Sequence, residues 1–147
     1  MTTVPNVSEL MTREVIKINL DERLDKVKEI FDQYKFHHLL VVDNNNALCG
    51  VLSDRDLFKA LSPNVGLASE TARDAATLNK RVHQIAARYP ISLPVNASLT
   101  DVVKQLHEHQ ITCMPIVDDN QRPVGIITTK DIVRLLHDKI DTAEANI

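Results

Sequence analysis

GVLSDRDLFKAL (Gly50–Leu61) and GIITTKDIVRLL (Gly125–Leu136) keep a Gly, a hydroxyl, a basic residue and an Asp in register. Setting Gly50 on Gly125 gives an offset of 75 residues, which holds without a gap from Val7–Leu61 onto Val82–Leu136. Identical pairs along it include Val7/Val82, Arg13/Arg88, Ile16/Ile91, Leu24/Leu99, Val42/Val117, Asp43/Asp118 and Asp56/Asp131. Ungapped internal similarity of this kind reports a repeated structural unit.

Each copy has the same layout. VIKIN (15–19) and ISLPV (91–95) read as short strands. An amphipathic helix follows, with Leu24, Val27, Ile30, Phe31 and Tyr34 on one face in the first copy and Leu99, Val102, Val103 and Leu106 in the second. Asp21 and Asn96 are its predicted N-caps. LLVVD (39–43) and MPIVD (114–118) read as buried strands, and NNN (44–46) and DNQ (119–121) as turns. A further strand runs into a last helix starting near Ser53 or Thr128. The predicted order is β-α-β-β-α, twice, an α/β (α+β) fold. A unit of about 55 residues buries too small a share of its surface to be comfortable alone. The two copies are therefore expected to pack sheet to sheet with pseudo-two-fold symmetry. The predicted organisation is repeat 1 at 7–61, a partly helical linker at 62–81, repeat 2 at 82–136, and a tail at 137–147 that frays after its first residues.

Composition limits the functional classes. An apolar fraction of 44% and a charged fraction of 25% are those of an ordinary globular protein. A net charge of −3 argues against nucleic acid as the main target. MTTVPNVSEL has no basic or apolar stretch of a signal peptide, and no apolar run approaches the ~18 residues of a membrane span, so no membrane partner is expected. Cys49 and Cys113 lie in apolar stretches and read as packed thiols, which places the chain in the cytoplasm. His107 and His109 are two apart on a helix and do not share a face, so no metal site is predicted. Nucleotide-loop, zinc-protease and serine-hydrolase motifs are absent, and the chain reads as a non-enzyme without a cofactor.

The S-D-R-D and T-T-K-D turns fit [S/T]-x-x-[D/E], a helix-capping pattern. The same geometry suits a nucleotide. A hydroxyl at a helix N-terminus can bind phosphate, an Asp one turn later can accept from a ribose diol, and Arg55 or Lys130 can add charge. Gly50 and Gly125, without side chains, would let a base or sugar approach the backbone.

Two tandem units ending in Gly50-Val-Leu-Ser53-Asp-Arg55-Asp56 and Gly125-Ile-Ile-Thr128-Thr-Lys130-Asp131 resemble a pair of CBS domains, the Bateman module. Met114-Pro115-Ile116-Val117-Asp118 resembles the family's strand motif, whereas Leu40 stands where proline is usual in the other copy. The resemblance covers Val7 to Leu136. It implies a regulatory module that binds AMP, ADP, ATP or S-adenosylmethionine in a cleft between the repeats and associates as a homodimer, with a regulated partner protein possible. The implied favoured site comprises Thr128, Lys130 and Asp131, with Ala86, Pro90 and Ile91 near the base and His37 and His38 facing the phosphates. The implied second site comprises Ser53, Arg55 and Asp56, with Met11, Val15 and Ile16 near the base and Thr112 and Cys113 opposite. The alternatives are a dimerisation or interaction module with an empty cleft, and a small nucleotide-processing enzyme for which only His37 and His38 could supply a base.

Overall fold

The computed structural model describes residues 4–146. In chain order the elements are α1 (Val7–Leu10), β1 (Lys17–Asn19), α2 (Leu24–Gln33), β2 (His38–Val42), β3 (Leu48–Ser53), α3 (Asp54–Ala60), α4 (Ala72–Ala76), β4 (Ala87–Arg88), β5 (Leu93–Pro94), α5 (Leu99–Glu108), β6 (Cys113–Val117), β7 (Pro123–Thr128) and α6 (Thr129–Ala145). Single 3-10 turns lie at Thr77–Asn79 and Val82–Gln84. The fold is mixed α+β with two small sheets, ordered β1-β2-β3-β4 and β5-β6-β7. In both, the first strand runs parallel to the second and the second antiparallel to the third.

Two compact units contain these elements. One joins the N-terminal stretch through Val15 to Ile91 and everything after it; the other is Ile16–Pro90. The packing units are thus offset from the sequence repeats by one segment. Thr12, just after α1, exchanges two backbone hydrogen bonds with Ile126 of β7, at 2.9 and 3.0 Å. Its counterpart 75 residues on, Ala87 in β4, pairs with Val51 of β3. Each repeat therefore lends its opening segment to the sheet edge of the other, which satisfies backbone groups that a bare edge strand would leave unpaired.

Hydrophobic burial fixes the exchange. Val7 and Val82 are equivalent by the repeat and both are fully buried. Val7 packs with Val102, Met114, Ile116 and Ile127, whereas Val82 packs with Leu39, Val41, Leu52 and Leu57. Burying such a side chain contributes roughly 1.5–3 kcal/mol, enough to hold a segment of one helical turn that could not fold alone.

Several local expectations change. The side-chain cap of α5 is Ser98, not Asn96: Ser98 Oγ accepts the Asp101 N–H and the Asp101 carboxylate accepts the Ser98 N–H. Asp21 does not cap α2 either. Arg23 holds that position without a side-chain cap, and the Leu24 N–H donates instead to the Lys80 carbonyl of the returning linker. That linker is ordered: Thr71 and Asp74 form a capping box on α4, Ser62 Oγ donates to Asp74, and Lys80 Nζ donates to the Ala60 carbonyl. With no Gly or Pro to stop it, α6 continues to Ala145.

Candidate functional site

Both S/T-x-x-D turns sit where a strand hands over to a helix, and both form capping boxes. At β3–α3, Ser53 Oγ accepts the Asp56 N–H at 3.1 Å and Asp56 Oδ2 accepts the Ser53 N–H at 2.9 Å. At β7–α6, Thr128 Oγ1 accepts the Asp131 N–H at 3.4 Å, and Asp131 Oδ2 accepts the Thr128 N–H at 2.8 Å and hydroxyl at 3.1 Å. Capping occupies one carboxylate oxygen in each case and leaves Oδ1. At Asp131, whose side chain is 13% exposed, that oxygen lies 3.7 Å from the Arg134 guanidinium. Both turns thus present a partly buried carboxylate with an oxygen that the cap does not use, and Arg55 and Lys130 beside them are exposed. Capping and ligand acceptance coexist because a carboxylate has more than one acceptor position.

The predicted site residues divide between the two units. Of the favoured set, Ile91, Thr128, Lys130 and Asp131 belong to one unit, and Ala86, Pro90, His37 and His38 to the other. Of the second set, Ile16, Ser53, Arg55 and Asp56 share a unit with His37 and His38, while Met11, Val15, Thr112 and Cys113 share one with Thr128. Within the units some neighbours are close. His38 lies opposite Ser53 across the β2–β3 pair, and Cys113 lies opposite Thr128 across β6–β7. The Thr112 carbonyl accepts the Thr129 N–H at 2.9 Å.

The glycines have a packing role that the sequence reading did not foresee. A Cβ on Gly125 would lie 2.4 Å from Met11 Sδ, and one on Gly50 would lie 3.1 Å from the Ala87 carbonyl oxygen and 3.2 Å from Val41 Cβ. The space beside each glycine is taken by the segment lent from the other repeat. Neither is the open approach to the backbone expected for a base or sugar.

A polar pair missed by the sequence reading lies at the start of α3. His37 Nδ1 is 2.8 Å from Asp54 Oδ2, with the His37 side chain 71% exposed and that of Asp54 26% exposed. The Asp54 N–H also donates to the His37 carbonyl at 3.0 Å. Burial alone would raise the Asp54 carboxyl. The His37 hydrogen bond, the Arg55 backbone N–H and the two nearby imidazoles outweigh it and hold the carboxyl below its ordinary value. Burial lowers His38, against the charge of Asp54. The signal for this pair was in the hairpin register: once His38 faces Ser53, the preceding and following residues must meet.

The cysteines pack, as expected. Burial, reinforced by the charge of Asp131, pushes the Cys113 thiol up to about 12, and burial also raises Cys49. Neither thiol has the thiolate character a nucleophile needs. Among the described residues, no group of three His, Cys, Asp or Glu is placed to hold a metal, and no helix is long and apolar enough to cross a membrane. A groove of about 590 Å³, lined by residues such as Val4, Pro5, Leu135 and Thr142, shares no residue with either predicted set.

Comparison with known proteins agrees with this architecture. The CBS domain family model matches twice, at residues 7–63 and 82–138. A CBS domain-containing protein of Dictyostelium discoideum is 30% identical over 88% of this chain and 90% of its own length. The L-aspartate semialdehyde sulfurtransferase of Methanocaldococcus jannaschii is 26% identical over 90% of this chain, which spans only 23% of that enzyme. Among solved structures, the CBS domain pair of protein MJ0100, in complex with 5'-methylthioadenosine and S-adenosyl-L-methionine, is 25% identical with a TM-score of 0.77, covering 93% of this chain and 99% of its own. The doubled strand-to-helix capping turn, the repeat that carries it and these matches lead to one conclusion: the chain belongs to the CBS domain family, as a tandem pair.

Proposed function

We propose that this chain is a regulatory module that binds an adenine nucleotide or other adenosyl ligand, rather than an enzyme. The observation that carries the reading is the pair of capping turns, each holding a hydroxyl and a carboxylate whose second oxygen the cap does not use, at Asp131 the one beside Arg134. The adenosyl compounds held by the similar MJ0100 pair support the ligand class. The favoured site is built on Thr128, Lys130 and Asp131, in the cleft that the family resemblance puts between the repeats, with Ala86, Pro90 and Ile91 toward the base and His37 and His38 toward phosphate. Two imidazoles can donate to a phosphate and gain charge beside it. The Thr112 and Cys113 of the second site offer one hydroxyl and a thiol that stays protonated. AMP, ADP, ATP and S-adenosylmethionine are the candidate ligands. With Cys49 and Cys113 both free, the reading places the protein in a reducing, cytoplasmic compartment.

The test is thermal unfolding with AMP, ADP, ATP, NAD and S-adenosylmethionine. A ligand at about 100 times its dissociation constant adds roughly 2.7 kcal/mol, a shift of several degrees. No shift with any of them at millimolar concentration favours the second reading, an interaction module without nucleotide. That reading has its own support, because Val133, Leu136 and Ile140 form an exposed apolar stripe along α6, at 59%, 54% and 56% exposure. On either reading the chain is proposed to be a homodimer that covers this stripe, or to offer it to a regulated partner protein. Light scattering at micromolar concentration checks the dimer, and a monomer mass rejects it.

A further inference from the structure

The pair of His37 and Asp54 has no counterpart in the other repeat. The equivalent residues are Thr112 and Thr129, which join through the Thr112 carbonyl, with both the N–H and the hydroxyl of Thr129 donating. The backbone link is kept in both repeats, whereas the side-chain link between a carboxylate and an imidazole belongs to the first repeat alone. An ionised carboxylate only accepts, so the 2.8 Å contact requires the proton on Nδ1 of His37. Nε2 is then the nitrogen left for other partners on a side chain that is largely exposed.

We propose that Asp54 is a positioning residue: by accepting the Nδ1–H of His37 it fixes the imidazole tautomer and orientation, so that His37 engages a ligand phosphate through Nε2 only as the imidazolium. This rests on the reading that His37 meets the phosphate. In the neutral ring with Nδ1 protonated, Nε2 presents a lone pair, which a phosphate repels. Protonation turns Nε2 into a donor and leaves a cation bonded to phosphate on one side and to Asp54 on the other, a charge-assisted arrangement. Binding of a phosphorylated ligand then takes up a proton and binding of its unphosphorylated nucleoside does not. Among the described residues His38 on β2 is the titratable group coupled to this pair: its charge acts on Asp54, and the charges of His37, Asp54 and Asp56 act on it.

The experiment compares AMP with adenosine by calorimetry in two buffers of different ionisation enthalpy, on the wild-type chain, Asp54→Ala, Asp54→Asn and His37→Gln. The imidazole nitrogens of His37 are followed by NMR in the same proteins. Wild type is expected to show the Nδ1–H form when neutral and to take up protons on binding AMP but not on binding adenosine. Asp54→Ala is expected to lose the Nδ1–H form and most of the uptake, and to bind AMP about threefold to tenfold more weakly with adenosine unchanged. Asp54→Asn, whose amide oxygen still accepts, recovers the tautomer and part of the affinity. His37→Gln removes the uptake. A wild-type ring protonated on Nε2, or Asp54→Ala with normal AMP affinity and normal uptake, overturns the proposal while leaving adenosyl binding intact. Failure of the wild-type chain to bind AMP overturns it together with the phosphate reading, and binding of adenosine or S-adenosylmethionine then shows whether the wider reading survives.

Discussion

The two strand-to-helix turns share a backbone and differ in chemistry. Ser53 and Asp56 close the same hydrogen-bonded ring as Thr128 and Asp131. Around that ring the first repeat carries His37, His38 and Asp54, where the second carries Thr112, Cys113 and Thr129. Beside the glycines the substitution runs the other way: the segment lent to β7 brings the long Met11, and the one lent to β3 brings the short Ala86 at the equivalent position. A duplicated unit has kept what the fold demands and changed what only a ligand or neighbour would feel. The cap recurs because unsatisfied helix N–H groups cost stability in every copy, whereas the surrounding side chains are free to diverge.

If the repeats are equivalent in their cores, equivalent core deletions must cost alike. Leu52 and Ile127 are both fully buried. Leu52→Ala and Ile127→Ala are each expected to destabilise by about 2–5 kcal/mol, the largest effects foreseen. Chemical denaturation checks this, and a severe loss from one with a mild loss from the other would break the equivalence. The carboxylates come next. Asp131→Ala removes the proposed ribose acceptor of the favoured site and should weaken AMP on the order of tenfold to a hundredfold, about 1.5–3 kcal/mol for a hydrogen bond to a charged group. Asp56→Ala should weaken it less. The reverse ranking in calorimetry moves the phosphate-binding site to the other turn. Both variants lose a cap, so affinities are compared only where melting shows the protein folded.

The glycines give a sharper contrast. Gly125→Ala drives a methyl into the Met11 thioether and is expected to cost about 1–3 kcal/mol. Adding Met11→Ala should return part of that loss, because the obstacle is a flexible side chain. At Gly50 the nearest obstacle is the Ala87 carbonyl, so no side-chain truncation should rescue Gly50→Ala. A double-mutant cycle measures the coupling. No coupling between positions 11 and 125 would mean that the lent segment is held by its valine and backbone bonds alone.

Much of this was legible in the sequence. The ungapped offset and matching apolar pattern were enough for the β-α-β-β-α order of elements in each copy and for the capping turns, since both follow from local periodicity and local hydrogen bonding. Three things were not. Exchange of the opening segments was hidden because Val7 and Val82 occupy equivalent positions, and a pattern that repeats cannot say which copy's core receives them. The glycines looked open because the side chain that fills the space at Gly125 is 114 residues away in the chain. The contact between Asp54 and His37 was hidden because the two residues lie 17 apart in the chain and meet only through the register of one hairpin.

The smallest expected effect is acid lability confined to one unit. Burial lowers His38 from its ordinary 6.5. On acidification the unfolded chain therefore binds this proton first. The stability His38 contributes is complete above about 6.5, falls as the pH drops from there toward the folded-state value, and changes no further below it. Cys113, at the equivalent strand position, titrates near 12 and stays neutral throughout. Asp54, held below its ordinary 3.8, contributes stability that disappears only in a separate, more acidic window. Hydrogen exchange between pH 7 and 5 should thus show amides of β2, β3 and α3 losing protection before those of β6, β7 and α6. Because His38 is only partly buried, the loss should be modest, and His38→Gln should flatten it. Equal acid sensitivity in both units, or a slope that survives His38→Gln, would place the proton-linked step elsewhere in the chain.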